Sequence, residues 1–301
     1  MPAEPIFYHD RYTGELHEEQ IYGEKFLRWA YETGFGRVTT NALVKRAFFS
    51  KLYGWWVSRP ASQIEAVKFV ERFGLDPAEF VKGDVATFKS FNDFFVRQLK
   101  AEARPIDPSA DSVVFPADGR HLGYADYSEA GHVYAKGQRF DLGELLGSAA
   151  DGEKFARAAM VISRLCPVDY HRYHFCAAGV PSEATLVNGP LFSVSPIALR
   201  RRVRYLVENK RVITRLQTAE AGEILSIEVG ATNVGSIHQT YEPGRPVEKG
   251  AEKGFFAFGG SMTITLFEPK RVTLAEDLIR VTTDGHELYA RMGDTLGTIV
   301  S

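Results

Sequence analysis

The spacing of apolar positions changes once along the chain, and this change predicts two structural regions. From residue 18 to residue 35 the apolar side chains recur near helical spacing, at Ile21, Tyr22, Phe26, Trp29 and Ala30. Further helical patterns cover residues 41–57 and 62–73. The segment SFNDFFVRQL predicts another helix that begins after the capping residue Ser90. Residues 1–89 are therefore predicted to be helical.

From about residue 113 the pattern changes to short strand-like runs separated by glycine, proline and asparagine. These runs cover residues 158–165, 222–230, 235–241, 262–267 and 296–300. In the second run Leu225, Ile227 and Val229 alternate with Ser226 and Glu228, which is typical of a half-buried strand. The sequence predicts an α+β fold, in which a helical N-terminal region (1–89) packs on a β-rich catalytic core (90–301).

Composition and charge narrow the class of protein. The chain has 301 residues, of which 45% are hydrophobic and 25% are charged, as in ordinary globular proteins. The formal net charge of −2 argues against a nucleic-acid partner. No apolar run reaches the length of a transmembrane helix, and the first twenty residues are polar and acidic rather than leader-like. These features predict a cytoplasmic protein, and Cys166 and Cys176 alone do not predict a disulfide framework.

The segment from Gly36 to Arg59 combines basic and aromatic residues. It contains five basic residues and no acidic one, interleaved with large apolar side chains that include Phe48, Phe49, Trp55 and Trp56. This combination is typical of a helix that lies in the interface of an anionic membrane. The alternative is that the aromatic rings only pack the helical region on the core. The absence of acidic residues favours membrane contact.

The most unusual local feature lies near the C-terminal end, where the apolar runs FFAF and MTITLF flank Gly259, Gly260 and Ser261. A hairpin with a glycine turn is the simplest interpretation. A second interpretation is chemical, because glycine leaves the Gly260 carbonyl open to attack by the neighbouring hydroxyl. Ser261 could then undergo an N→O acyl shift if a base takes its proton and donors stabilise the oxyanion.

Two compact segments could supply the partners for such a reaction. FPADGR (115–120) contains Asp118, although an Asp-Gly pair is also a common turn. CPVDYHRYHFC (166–176) gathers Asp169, His171, Arg172 and His174. The same segment offers Cys166, His171, His174 and Cys176 as zinc ligands, but the spacing is not that of structural zinc sites, so no metal is expected. A turn is expected after Pro167.

Taken together, the motifs resemble the phosphatidylserine decarboxylase family in its compact bacterial form. The matching segments follow the family order across most of the chain: SFNDFFVRQLKAEARPID (90–107), FPADGR (115–120), DYHRYHF (169–175), NGPLFSVSP (188–196), ENKR (208–211), VGATNVGSI (229–237) and KGAEKGFFAFGGSMTITLFEP (249–269). Seven segments in order are far more specific than any one of them.

The resemblance implies a role for each matching position. Ser261 would cut the chain after Gly260 and become a covalent pyruvoyl cofactor, leaving chains 1–260 and 261–301. Asp118 and His174 would activate Ser261 as in a Ser-His-Asp triad, and His171 would serve the decarboxylation. The family usually has threonine after the serine, whereas this chain has Met262, which could slow the cutting. Cys176 stands where the family usually has proline.

The resemblance also implies the substrate and the surroundings of the enzyme. Phosphatidylserine would condense with the pyruvoyl group to a Schiff base, lose CO₂ and leave as phosphatidylethanolamine. We expect a peripheral protein on the cytoplasmic face of the cell membrane, formed by its own two cleaved chains and acting as a homo-oligomer. Alternatives are a pyruvoyl enzyme for another serine-headed lipid or a soluble amino acid, a non-enzymatic β module spanning 222–301, and a zinc protein.

Overall fold

The computed structural model describes residues 5–21, 23–39, 54–134, 137–231, 237–257 and 261–300. The predicted helix over 41–57 lies mostly outside these residues, as do Tyr22 and Gly260. The helices are α1 (Glu24–Glu32), α2 (Gly34–Thr39), α3 (Gln63–Phe73), α4 (Phe91–Phe95), α5 (Leu142–Leu146), α6 (Ala149–Lys154), α7 (Pro196–Leu199), α8 (Tyr205–Glu208) and α9 (Glu276–Thr283).

Sixteen strands are assigned within the described residues. They are β1 (Phe7–Asp10), β2 (Leu16–Glu18), β3 (Ser112–Val114), β4 (Gly119–Tyr124), β5 (Ala159–Leu165), β6 (Arg172–His174), β7 (Val180–Pro181), β8 (Thr185–Val187), β9 (Arg211–Gln217), β10 (Glu223–Val229), β11 (Ile237–Gln239), β12 (Glu252–Phe256), β13 (Ser261–Phe267), β14 (Val272–Leu274), β15 (Glu287–Ala290) and β16 (Thr295–Ile299). The predicted α+β class is confirmed.

A ten-stranded mixed sheet forms the centre of the molecule, in the order β2-β1-β15-β4-β5-β13-β10-β9-β7, with β8 also paired to β9. Its central strands alternate between two apolar clusters. Met160 and Ile162 of β5 face one cluster, and Ala159 and Val161 face the other. Because both faces are covered, the central strands β5, β13 and β10 are buried along their whole length.

This burial on both faces corrects the prediction for β10. Leu225, Ile227 and Val229 lie in one apolar cluster, as the alternation predicted. Ser226 and Glu228, expected to face solvent, are also buried. Glu228 accepts a hydrogen bond from the buried Lys253 at 2.7 Å, so its charge is compensated inside the protein.

The N-terminal region is only partly helical. The prediction of helices throughout residues 1–89 is wrong for the first twenty, because β1 pairs in parallel with β15 and antiparallel with β2. The helix predicted from residue 18 begins at Glu24. Helix α3 agrees with the predicted segment, and α4 begins after Ser90, whose hydroxyl accepts a hydrogen bond from Asp93 N at 3.2 Å. These two helices pack on each other through buried phenylalanine rings.

Two smaller sheets complete the core, in the orders β11-β12-β6 and β14-β16-β3. Strand β12 therefore pairs with β11 and β6, whereas β13 pairs with β10 and β5. The two apolar runs that flank the glycines belong to different sheets. This arrangement contradicts the simple hairpin and leads the chain from one sheet into the other immediately before Ser261.

Candidate active site

Ser261 is the first residue of the central strand β13. It is fully buried and pairs in register with Leu165 at the end of β5. This pairing fixes the backbone of residue 261 on the β5 side, while the pairing of β13 with β10 begins one residue later, at Met262. The Ser261 side chain is therefore held at the start of a strand that lies between β5 and β10.

His171 contacts Ser261 directly. The predicted turn after Pro167 is present and is closed by a hydrogen bond from Asp169 N to Cys166 O of 2.9 Å, and His171 follows it. Its Nε2 lies 2.9 Å from Cys166 O, and a carbonyl can only accept, so Nε2 carries the proton. Its Nδ1, 3.1 Å from Ser261 Oγ, must then accept the hydroxyl proton.

The surroundings of His171 keep its ring neutral. The ring stacks on Phe95 with centroids 3.9 Å apart. Burial lowers the pKa of His171 to about 3, and the positive charge of Arg97 acts in the same direction. An imidazolium at this position would be unfavourable at neutral pH.

His174 lies at the end of β6, three residues further along. Its Nδ1 donates to Gly250 O at 2.9 Å, so Nε2 carries the lone pair. This Nε2 is buried and has no hydrogen-bond partner among the described residues. Burial lowers the pKa of His174, but the charges of Glu252 and Asp118 oppose that shift. A protonated His174 is therefore better compensated than a protonated His171.

Asp118 lies immediately before β4 and is almost fully buried. Its carboxylate accepts from Arg104 Nε at 2.9 Å and Nη2 at 2.7 Å, and from Met292 N at 2.9 Å. The adjacent Gly119 has no room for a side chain, because a Cβ would lie 2.6 Å from Arg164 O. The chain geometry thus fixes Asp118 beside Arg104.

The structure brings some of the predicted residues into contact and not others. Ser261 is hydrogen-bonded to His171, whereas Asp118 and His174 act on each other through charge alone. Among the described residues, no hydrogen bond joins Asp118 to His174 or His174 to Ser261. The predicted Ser-His-Asp relay is not assembled in this conformation, and Gly260 lies outside the described residues. The roles of these residues remain predictions.

Several buried charges near the site were missed by the sequence reasoning. Arg97 belongs to the segment that predicted α4, and Arg104 and Arg120 lie in quoted motifs without an assigned role. Arg120 forms a buried ion pair with Asp169, which accepts a further hydrogen bond from Cys166 N at 2.6 Å. An arginine directly after an apolar helical run, as in FFVR, was the available signal.

The two cysteines have separate surroundings. Cys166 Sγ lies 2.9 Å from both Arg164 Nη1 and Glu19 Oε1, and burial raises its pKa well above the usual value. Cys176 is packed in an apolar cluster. Across the described residues, no group of three or more histidine, cysteine or acidic side chains could hold a metal ion.

A cavity of about 390 Å³ opens on another part of the sheet, lined by side chains of β1, β4 and α9 together with Tyr134 and Glu287. Neither Ser261 nor the two histidines line it. The described cavity is thus separate from the predicted chemistry.

Comparisons with known proteins agree with the motifs. The family model for phosphatidylserine decarboxylase matches residues 91–298. A phosphatidylserine decarboxylase proenzyme of Chlamydia trachomatis is 40% identical over 297 residues, which is 99% of this chain and 98% of the relative. Those of Clostridium botulinum and Desulfitobacterium hafniense are 41% identical over 290 residues and 39% identical over 292 residues, in each case 98% of the relative and 96% and 97% of this chain.

These likenesses extend over nearly the whole chain and include all segments that form the site. The class of protein is therefore a decarboxylase made as a proenzyme. The chain belongs to the phosphatidylserine decarboxylase family.

Proposed function

We propose that the chain cuts itself between Gly260 and Ser261, converts Ser261 into a pyruvoyl group and decarboxylates phosphatidylserine to phosphatidylethanolamine and CO₂. The observation that carries this proposal is the buried hydrogen bond between Ser261 Oγ and His171 Nδ1 at the start of β13. The related proteins are proenzymes, which must be cut to become active. A buried hydroxyl held in one position is suited to attack the preceding peptide bond and so to make such a cut.

The cutting reaction needs no partner other than water. Ser261 Oγ attacks the Gly260 carbonyl, the C–N bond breaks, and the amide becomes an ester. β-Elimination then breaks the Cβ–Oγ bond, which frees the Gly260 carboxylate and leaves dehydroalanine at residue 261. Tautomerisation and hydrolysis consume one water and release ammonia, which leaves a pyruvoyl group at the start of the 41-residue chain 261–301.

We assign the proton transfer in the cutting step to His174. Its Nε2 lone pair is unpartnered among the described residues, and the charges of Asp118 and Glu252 favour the imidazolium that forms when it takes a proton. His171 is the weaker base, because burial and the charge of Arg97 both oppose its protonation. We therefore propose that the hydrogen bond from Ser261 to His171 orients the Ser261 hydroxyl. In this scheme the Ser261 hydroxyl must leave its hydrogen bond to His171 before His174 takes its proton.

The site has room for a pyruvoyl group, which contains fewer heavy atoms than the serine residue that occupies the same space. A pyruvoyl carbonyl system withdraws electrons from the carbon that loses CO₂. His171 Nδ1 is held beside residue 261 with a lone pair. Because burial and the charge of Arg97 disfavour its protonation, an imidazolium formed there is a strong acid. We therefore assign to His171 the last proton transfer, in which Nδ1 relays a proton from water to the carbon that has lost CO₂.

The decisive test is the mass of the purified protein under denaturing conditions. Two chains split between residues 260 and 261 are expected, the smaller one without a free amino terminus. Ser261→Ala should remain a single chain and should not release CO₂ from phosphatidylserine. A single intact wild-type chain with full decarboxylase activity would refute the scheme.

We further propose that α1 and the segment around Trp55 contact an anionic membrane surface. Phe26, Trp29 and Phe35 are exposed, and their successive rings lie 5.8 and 6.3 Å apart. Trp55 is 54% exposed and carries the Arg59 guanidinium 3.7 Å from its ring centroid. Exposed aromatic rings beside a cation match the interface of an anionic bilayer. No helix among the described residues has the length and apolar character to cross a bilayer.

Vesicle sedimentation tests this surface. The protein should bind vesicles containing phosphatidylserine and should be released by high salt, as expected of a peripheral protein. Phe35→Ser and Trp55→Ser should weaken binding. Leu186→Ser, at an exposed position of β8, is the matched control and should not. Equal loss in all three would contradict the proposed surface, and protease accessibility in cells would test the cytoplasmic face.

A further inference from the structure

Arg97 is a buried cation with unused donors. Its side chain is 4% exposed, and its Nη2 donates to Val168 O and Asp169 O, both at 3.1 Å. Nε and Nη1 are also buried and have no hydrogen-bond partner among the described residues. Burial lowers the pKa of Arg97 to about 10, so the guanidinium stays charged at neutral pH.

No carboxylate of a described residue is bonded to this cation. Asp118 and Asp169 are the acidic groups whose charge reaches Arg97, and they form ion pairs with Arg104 and Arg120 instead. The faces of Phe80 and Phe94 cover the guanidinium at 5.1 and 4.9 Å. A buried charge without a bonded counterion is costly, and two unfilled donors on it add to that cost.

The position of Arg97 connects it to the proposed chemistry. It follows Phe95, whose ring stacks on His171, by two residues. The carbonyls it binds belong to the turn that leads directly into His171. Burial is the main cause of the lowered pKa of His171, and the charge of Arg97 acts on that ring in the same direction. Arg97 thus borders the site that residue 261 and His171 form.

We propose that Arg97 binds the phosphodiester of the substrate headgroup through one of its two unfilled donors, Nε or Nη1. This inference rests on the proposed function and specifies how its substrate is held. The phosphodiester keeps its charge throughout the reaction, so a cation can hold it in substrate and product alike. The substrate carboxylate becomes neutral CO₂, and a cation paired with it would stabilise the ground state against the transition state. Nη2 lies between Nε and Nη1 and is already bonded to two carbonyls, so a single charge-assisted hydrogen bond to the phosphate is expected rather than a bidentate pair.

The burial of Arg97 does not argue against this role. Ser261, which must meet the substrate once it is converted, is itself fully buried. The proposed function therefore already requires the protein to open enough to admit a headgroup to residue 261. Binding of the phosphodiester to Arg97 requires the same opening.

Kinetics with a soluble short-chain phosphatidylserine test the proposal without a membrane step. Arg97→Gln should raise KM by about 10- to 100-fold, the worth of one charge-assisted hydrogen bond. The inhibition constant of short-chain phosphatidylethanolamine, which retains the phosphodiester and lacks the carboxylate, should rise by a similar factor. Arg97→Lys keeps the charge and should show a smaller rise in both constants.

Arg211→Lys is the matched control. Arg211 is equally buried, but all its nitrogens donate to main-chain carbonyls, at 2.6 to 3.0 Å. It should leave both constants unchanged. A rise in KM without a change in product inhibition would assign Arg97 to the carboxylate and overturn the proposal. So would a loss confined to cutting, kcat or thermal stability. A wild-type chain that does not act on phosphatidylserine would instead overturn the proposed function.

Discussion

The two histidines of the predicted site, His171 and His174, should differ sharply when each is replaced by glutamine. His174→Gln removes the unpartnered Nε2 lone pair that we assign as the base. General-base catalysis contributes about 10²- to 10⁴-fold, so we expect the rate of cutting to fall by that factor. His171→Gln removes one neutral hydrogen bond to the Ser261 hydroxyl. Such a bond is worth about 0.5–1.5 kcal/mol, which corresponds to about 2- to 12-fold in rate.

The assay follows the fraction of cut chain by denaturing mass analysis at successive times after synthesis. The uncut His171→Gln protein should disappear within a few multiples of the wild-type time, and the resulting two-chain protein should decarboxylate poorly. His174→Gln should remain uncut over the same period. Because the base must be unprotonated and burial lowers the pKa of His174, the wild-type rate should be constant above pH 6.5 and fall as the pH drops below its pKa.

His121→Gln separates these effects from damage to the fold. His121 is a fully buried histidine of β4 that bonds Ser163 Oγ at 2.9 Å and Ala290 O at 3.2 Å. It does not contact Ser261, so its replacement should leave the rate of cutting at the wild-type value, even if the melting temperature of the variant falls. If His171→Gln blocks cutting and His174→Gln does not, the base has been assigned to the wrong ring.

Three further predictions concern the charges and backbone around the site. Glu287→Gln removes one of the two carboxylates that are paired with the buried Arg164, so urea unfolding should show a loss of about 3 kcal/mol in the free energy of unfolding. An unchanged free energy of unfolding would contradict the view that Glu287 compensates this buried charge. Burial alone would raise the pKa of Glu19, but the charge of Arg164 outweighs burial and lowers this pKa to about 2. The free energy of unfolding should therefore fall as the pH drops from 4.5 toward 2, and Glu19→Gln should make this fall smaller. Gly119→Ala places a Cβ 2.6 Å from Arg164 O, so both the melting temperature and the rate of cutting should drop as Asp118 shifts, and unchanged values would refute the close approach.

Local patterns were sufficient for much of the fold. The cap at Ser90 and the turn after Pro167 depend on residues a few positions apart, and both are present in the structure. Strand β10 is also present, but it is buried on both faces rather than on one, because its second face is covered by distant segments. The first strands were missed because β1 and β2 are short and polar. Strand β2 pairs with β1, and β1 pairs with β15, nearly 280 residues away, which no local pattern encodes.

The candidate site shows the same division. Motif order predicted Ser261, His171, His174 and Asp118, all of which are buried in the structure, but only Ser261 and His171 are in contact. Their bonding could not be read from spacing. Asp118 is held by Met292, 174 residues away, and His171 accepts from Ser261 across 90 residues. The unused donors of Arg97 depend on which carboxylates are taken by other arginines, and only the folded structure determines that.

The pairing of β13 and β15 has a mechanical consequence for a chain that is cut before Ser261. Strand β13 pairs with β5 and β10, and β15 pairs with β1 and β4, all four of which precede the cut. The short fragment would therefore be hydrogen-bonded between strands of the long fragment at two separate places. Pairing of β16 with β3 would add a third. Severing the backbone there would release no piece of the protein. The new chain end would stay anchored beside His171, as immobile as the interior residue it had been.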